Sequence, residues 1–132
     1  MPPSLPSVST AVVVVDTGRL LDESPAGKAG AAALQARYEA DKARYDALRE
    51  KGTTVKGRRQ AEEAAAAFER QAFAELEAER AALVRQVLEG ARPLIAAVMK
   101  ERSAVVVVDA RATIAFDGAV DITDLVLRRL AG

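Results

Sequence analysis

Two acidic residues, Asp16 and Asp109, each end a run of four valines, Val12, Val13, Val14, Val15 and Val105, Val106, Val107, Val108. Carboxylates at the ends of neighbouring strands suit metal-dependent phosphoryl transfer, but that chemistry needs further charged partners converging on one metal. Neither run carries a second ligand at close spacing, so turn or cap roles are expected for both aspartates. Gly52-Thr53-Thr54-Val55-Lys56-Gly57-Arg58-Arg59 has the spaced glycines of a phosphate loop. Such a loop places Lys and then Ser or Thr after its second glycine and follows a buried strand; here Arg58 and Arg59 follow and a helical pattern precedes. The chain has no histidine and no cysteine. Imidazole catalysis, disulfides and thiolate metal sites are thereby removed. No catalytic residue, cofactor or metal is expected, and the reading is of a protein that is not an enzyme.

What remains is chemistry of contact. Arg49, Lys51, Lys56, Arg58 and Arg59 make one segment locally basic, relieved only by Glu50. It is either a solvated turn or an anion contact, for lipid headgroups at a membrane surface or an acidic polypeptide. Tyr38, Tyr45, Phe68 and Phe73 are the aromatic residues flanking it. Helix seam packing is the default role for such rings. Phe68 and Phe73 are five apart, however, and cannot share one narrow seam, so at least one is available to a client or a neighbouring copy.

The element carrying these residues is a long helical pattern over 26–102. Its first arm spaces Ala31, Leu34, Tyr38, Tyr45 and Leu48 as a coiled-coil seam that Asp41 interrupts. The return arm carries Ala61, Ala65, Phe68, Ala72, Leu76, Leu83, Val87, Leu94 and Val98. Glycines and threonines between Lys51 and Gly57 disfavour continued helix, which places a tip at about 52–57. Gly90 and Pro93 predict a kink without a stop, since the apolar spacing resumes at Leu94. An arm of this length needs a partner helix, because so thin a seam cannot hold an isolated helix.

The two valine runs read as buried strands, with a third strand over 113–116 forming a hairpin with the second. Ser24-Pro25 marks a helix start, and Asp121 is the expected N-cap of a last helix whose apolar face holds Ile122, Leu125 and Val126. The fold class is α+β: a long antiparallel helical hairpin emerging from a small β-body that a C-terminal helix completes. Residues 1–10 are expected to be a disordered tail without the features of a signal peptide. Residues 11–25 and 103–132 form the split body, and 26–102 the arm. Charge is balanced, 19 basic against 19 acidic residues, which argues against nucleic acid as a partner. Half of the 132 residues are hydrophobic but only 4% are aromatic. Large core side chains are scarce, and self-association through the valine runs, Ile122, Leu125 and Val126 is the expected remedy.

Val12-Val13-Val14-Val15-Asp16-Thr17-Gly18-Arg19-Leu20-Leu21, Ser24-Pro25-Ala26-Gly27-Lys28, Val105-Val106-Val107-Val108-Asp109 and Asp121-Ile122-Thr123-Asp124-Leu125-Val126-Leu127 together resemble the Skp/OmpH family of periplasmic chaperones. The resemblance implies a homotrimer with a shared β-body and tentacle-like coiled-coil arms around a cavity. It also implies an ATP-independent holdase that keeps unfolded outer-membrane proteins from aggregating, in the periplasm. The competing expectation is a coiled-coil structural or adaptor protein that docks a folded partner.

Overall fold

A computed structural model describes residues 11–132 of the chain; the tail expected over 1–10 lies outside the described residues. The elements run β1 (Val12–Val15), α1 (Thr17–Glu23), α2 (Pro25–Arg49), α3 (Val55–Glu101), β2 (Val106–Asp109) and α4 (Thr123–Leu130), with 3-10 turns at Ala110–Ala112 and Gly118–Val120. The fold is mostly helical, with two long helices and one small strand pair. Two compact units are present. One holds the described residues up to Lys28 together with Arg85–Gly132, and the other holds Ala29–Val84.

In the first unit β1 and β2 pair in parallel, Val12 opposite Val106 and Val15 opposite Asp109. A parallel pair needs a long crossover, and the entire α1–α3 run supplies it. The expected hairpin of β2 with a third strand over 113–116 is not formed, because no strand occurs there. Aspartate side chains divert the chain instead: Asp109 accepts from the Arg111 amide at 3.1 Å and Asp117 from the Ala119 amide at 2.9 Å, each opening a 3-10 turn. The other edge of β1 is met further along the chain. Val14 makes a parallel bridge with Asp121, and the Ile122 amide donates to the Val14 carbonyl at 2.8 Å.

The two strand-end aspartates do act as caps. Asp16 accepts from the Arg19 amide at 3.1 Å. Asp109 accepts from the Thr17 hydroxyl at 2.5 Å and the Thr17 amide at 3.4 Å, so both carboxylates are spent on the first turn of α1. Ser24 ends α1 and, fully buried, accepts from the Gly27 amide at 3.0 Å to start α2. Gly27 is required there, since a Cβ would fall 1.8 Å from the Leu21 carbonyl oxygen. Helix α3 passes Pro93 as one element. It ends where Ser103 takes a left-handed φ of 53° and the Ala104 amide donates back to the Met99 carbonyl at 2.8 Å.

Helix α4 departs from expectation in its cap. Ile122 is the backbone N-cap and offers no side-chain bond. Asp121 sits one residue earlier and accepts from the Thr123 amide at 2.9 Å, while the Thr123 hydroxyl accepts from the Asp16 amide. The core of this unit is Val13, Val14, Val15, Leu20, Val87, Ala91, Val98, Ile122 and Val126, all nearly or fully buried. Leu125, expected on the same face, is half-buried.

Candidate functional site

The unit Ala29–Val84 carries the chemistry of contact. Along α2 the less exposed positions are Gly30, Leu34, Arg37, Asp41, Tyr45 and Leu48, a three-and-four spacing. Leu34, Tyr45 and Leu48 lie in the expected seam, but Ala31 and Tyr38 face solvent and Gly30, Arg37 and Asp41 stand there instead. On α3 the buried residues of this unit are Ala61, Ala65 and Ala72, with Phe68, Leu76 and Leu83 half-buried. Small residues allow close approach: a Cβ on Gly30 would fall 2.2 Å from a Leu83 methyl.

Arg37 is the charged centre of this seam. Its terminal nitrogens donate to Glu75 and Glu79, and its Nε lies 3.7 Å from Asp41 Oδ2. Burial opposes its charge, but the three carboxylates outweigh burial and raise its pKa above the ordinary value. The Gln71 amide, ahead of Arg37 in effect, holds the Glu75 carboxyl below the usual range. Sequence reasoning took Asp41 for an interruption. The signal available was the i,i+4 spacing of Arg37 with Asp41 and of Glu75 with Glu79.

The four aromatics named from the sequence line one notch of about 330 Å³. Tyr38 and Phe73 are the open rings, 53% and 66% exposed; Tyr45 and Phe68 are half-buried. Ala72 and Leu76 add apolar surface, and Asp41, Lys42, Asp46 and Glu69 complete the lining. The Arg44 guanidinium sits over the Phe68 ring at 5.4 Å and that of Arg49 over Tyr45 at 5.8 Å. Asp41 Oδ2 is buried without a hydrogen-bond donor.

At the turn, α2 stops at Arg49 and α3 begins at Val55, a shorter connection than the sequence suggested. Gly52 approaches so closely that a Cβ would meet the Arg58 backbone at 2.5 Å. Thr54 Oγ1 accepts from the Gly57 amide at 2.9 Å, which starts α3. Arg49, Lys51, Lys56, Arg58 and Arg59 are all exposed. Arg49 and Arg58 share a cavity of about 410 Å³ with Asp46, Glu50 and Glu62. The sequence-stretch view of a basic tip missed this offset, because Asp46 and Glu62 arrive one turn away on their helices.

Of the residues expected to mediate self-association, Val13, Val14, Val15, Ile122 and Val126 are consumed by the core of their own unit. Val12, Val105 and Val106 are exposed, and Val107, Val108 and Leu125 are half-buried. Val12 and Val106 are register partners, so they share one face of the sheet. Ile114 and Phe116, read from sequence as strand residues, are also exposed.

Comparison with known proteins fits this architecture. The family described as outer membrane protein (OmpH-like) matches residues 55–130, more than half of the chain. The chain belongs to that OmpH-like family. Among solved structures, it is similar to a Caulobacter crescentus protein described as an OmpH-like outer membrane chaperone. The two are 21% identical with a TM-score of 0.58, over 98% of this chain and 86% of that one. Among curated proteins no match is found.

Proposed function

We propose that this chain is an ATP-independent holdase chaperone of the periplasm, a homotrimer that binds unfolded outer-membrane proteins between helical arms and prevents their aggregation. The observation that carries this reading is the OmpH-like match, which spans α3 and everything after it to the last helix. The fold likeness to a chaperone-described protein supports it.

In this reading α2 and α3 form an antiparallel hairpin. Close approaches of Gly52 to Arg58, Arg37 to Glu75 and Glu79, and Gly30 to Leu83 run in opposite directions along the two helices, which supports the arrangement. Residues 26–102 are the arm, and 11–25 with 103–132 are the body. Val12, Val105 and Val106, joined by Ile114 and Phe116, are the apolar surface offered to neighbouring copies, since large exposed apolar groups of this kind mark interaction sites. A holdase needs many weak contacts, so that a client is held yet can leave. Exposed Tyr38 and Phe73 with half-buried Tyr45 and Phe68 provide them. Membrane contact at the tip falls to Lys51, Lys56 and Arg59, because carboxylates surround Arg49 and Arg58; such contact weakens with salt.

The test is mass by light scattering, alone and with a denatured outer-membrane β-barrel protein diluted into the sample. A trimer that forms a soluble complex with the client is the expected outcome. A monomer, or a trimer that leaves the client to precipitate, refutes the holdase and favours an adaptor that docks a folded partner.

A further inference from the structure

Positions 37 and 38 of α2 compete for one place. Successive residues on an α-helix point about 100° apart, so a narrow seam takes only one of two neighbours at each level. Ala31, Leu34, Tyr38, Asp41, Tyr45 and Leu48 follow an unbroken three-and-four repeat. The seam that forms keeps Leu34, Asp41, Tyr45 and Leu48 but takes Gly30 and Arg37 in place of Ala31 and Tyr38. The two exchanges lie one heptad apart, so both turn α2 the same way. An aromatic ring is thereby left 53% exposed while a guanidinium stands among alanines.

Two contacts account for a choice that hydrophobicity opposes. At residue 30 the reason is space, since a Cβ on Gly30 would fall 2.2 Å from a Leu83 methyl. At residue 37 the reason is charge: Arg37 donates to Glu75 and Glu79 on α3, and its Nε lies 3.7 Å from Asp41 Oδ2. Charge-assisted bonds to two carboxylates on the facing helix fix the rotation of α2 about its own axis. We propose that Arg37 is a positioning residue for client contact: by holding the seam at its level, it keeps the Tyr38 ring on the open side of the notch beside Phe73, where an unfolded chain meets it. The proposal rests on the holdase reading for the client, and on the seam geometry for the orientation of Tyr38.

The chain has no tryptophan and two tyrosines, so Tyr45→Phe leaves Tyr38 as the one emitter and acrylamide quenching reads its exposure. In that background Arg37→Glu sets a fourth carboxylate among Asp41, Glu75 and Glu79, and repulsion drives it from the seam. Tyr38 is expected to take the vacated place, and its quenching constant to fall about twofold from that of a half-exposed ring. Arg37→Lys, which still meets the carboxylates, should keep the wild-type value. Adding Glu75→Arg and Glu79→Arg to Arg37→Glu rebuilds the cluster with its signs reversed and should restore quenching, which simple damage to packing would not allow. Arg37→Gln should shift quenching the same way by less, and it decides the matter where Arg37→Glu loses helix content by circular dichroism. Unchanged quenching in Arg37→Glu and Arg37→Gln, or a fall that the reversed cluster does not restore, overturns the proposal. An assay of β-barrel client aggregation separates the two readings. Arg37→Glu should lose protection as Tyr38→Ala does, with no further loss in the double variant; full protection by Arg37→Glu overturns the positioning role. A wild type that does not protect removes the holdase, while the quenching series still decides whether Arg37 orients Tyr38.

Discussion

The two units are stabilised by opposite kinds of side chain. The unit with β1, β2 and α4 buries branched residues completely, Val14, Leu20, Val98, Ile122 and Val126 among them. The unit Ala29–Val84 buries only Ala61, Ala65 and Ala72, and its largest apolar rings stay wholly or partly in solvent. A core of branched side chains gains stability from volume. A seam of alanines gains it from close approach, and leaves the aromatic residues free for other contacts. Bulky core packing and close helix approach are thus divided between units.

Reversing the volume rule in each unit is the sharpest way to break that comparison. Ile122→Ala should cost about 2–5 kcal/mol in chemical denaturation, the usual range for a fully buried large-to-small change. Ala65→Leu should cost about 1–3 kcal/mol by overpacking, although leucine is nearly as good a helix former as alanine. A neutral Ala65→Leu would show that the seam has slack and that small residues there are not a packing requirement.

Those residues also show what was legible in sequence. The valine runs do form strands, but only Val13, Val14 and Val15 are buried as expected, since β2 lies exposed to half-buried; the terminal aspartates and Ser24-Pro25 lie where their local signals put them. The third strand failed because Thr113–Phe116 has strand composition, whereas Asp109 and Asp117 side chains turn the backbone on either side of it. The extra pairing that does form is on β1, where Val14 bridges Asp121 across 107 positions, which no local pattern encodes. In the α2 seam Leu34, Tyr45 and Leu48 were legible, whereas hydrophobicity favours Tyr38 over Arg37. Three carboxylates make Arg37 the better seam residue.

A smaller effect is expected from Thr17→Val. The Thr17 hydroxyl and amide both donate to Asp109, and the variant loses the hydroxyl bond at a cost of about 1.5 kcal/mol near neutral pH. Burial favours the protonated acid at Asp109, but the bonds from Thr17 and Arg111 outweigh it and hold the carboxyl below its usual range. A depressed carboxylate contributes stability above its unfolded value, near about 3.9, and loses it as pH falls through the folded value. The gap between wild type and Thr17→Val should therefore close on acidification below about pH 4, and the Asp109 titration midpoint followed by NMR should rise in the variant. A gap that stays constant down to pH 2 would mean that Thr17 acts through packing.

The least effect on stability is expected at the site richest in ion pairs. Arg37 meets Asp41, Glu75 and Glu79, yet the cluster lies at the surface of its unit, where solvent and salt screen charge and such pairs add little. Arg37→Met keeps much of the side chain's apolar stem and removes the charge. Its unfolding midpoint should fall slightly at low salt and match the wild type at 1 M salt. A deficit that persists at 1 M salt would show that the Arg37 guanidinium fills space in the seam and does not act by charge alone.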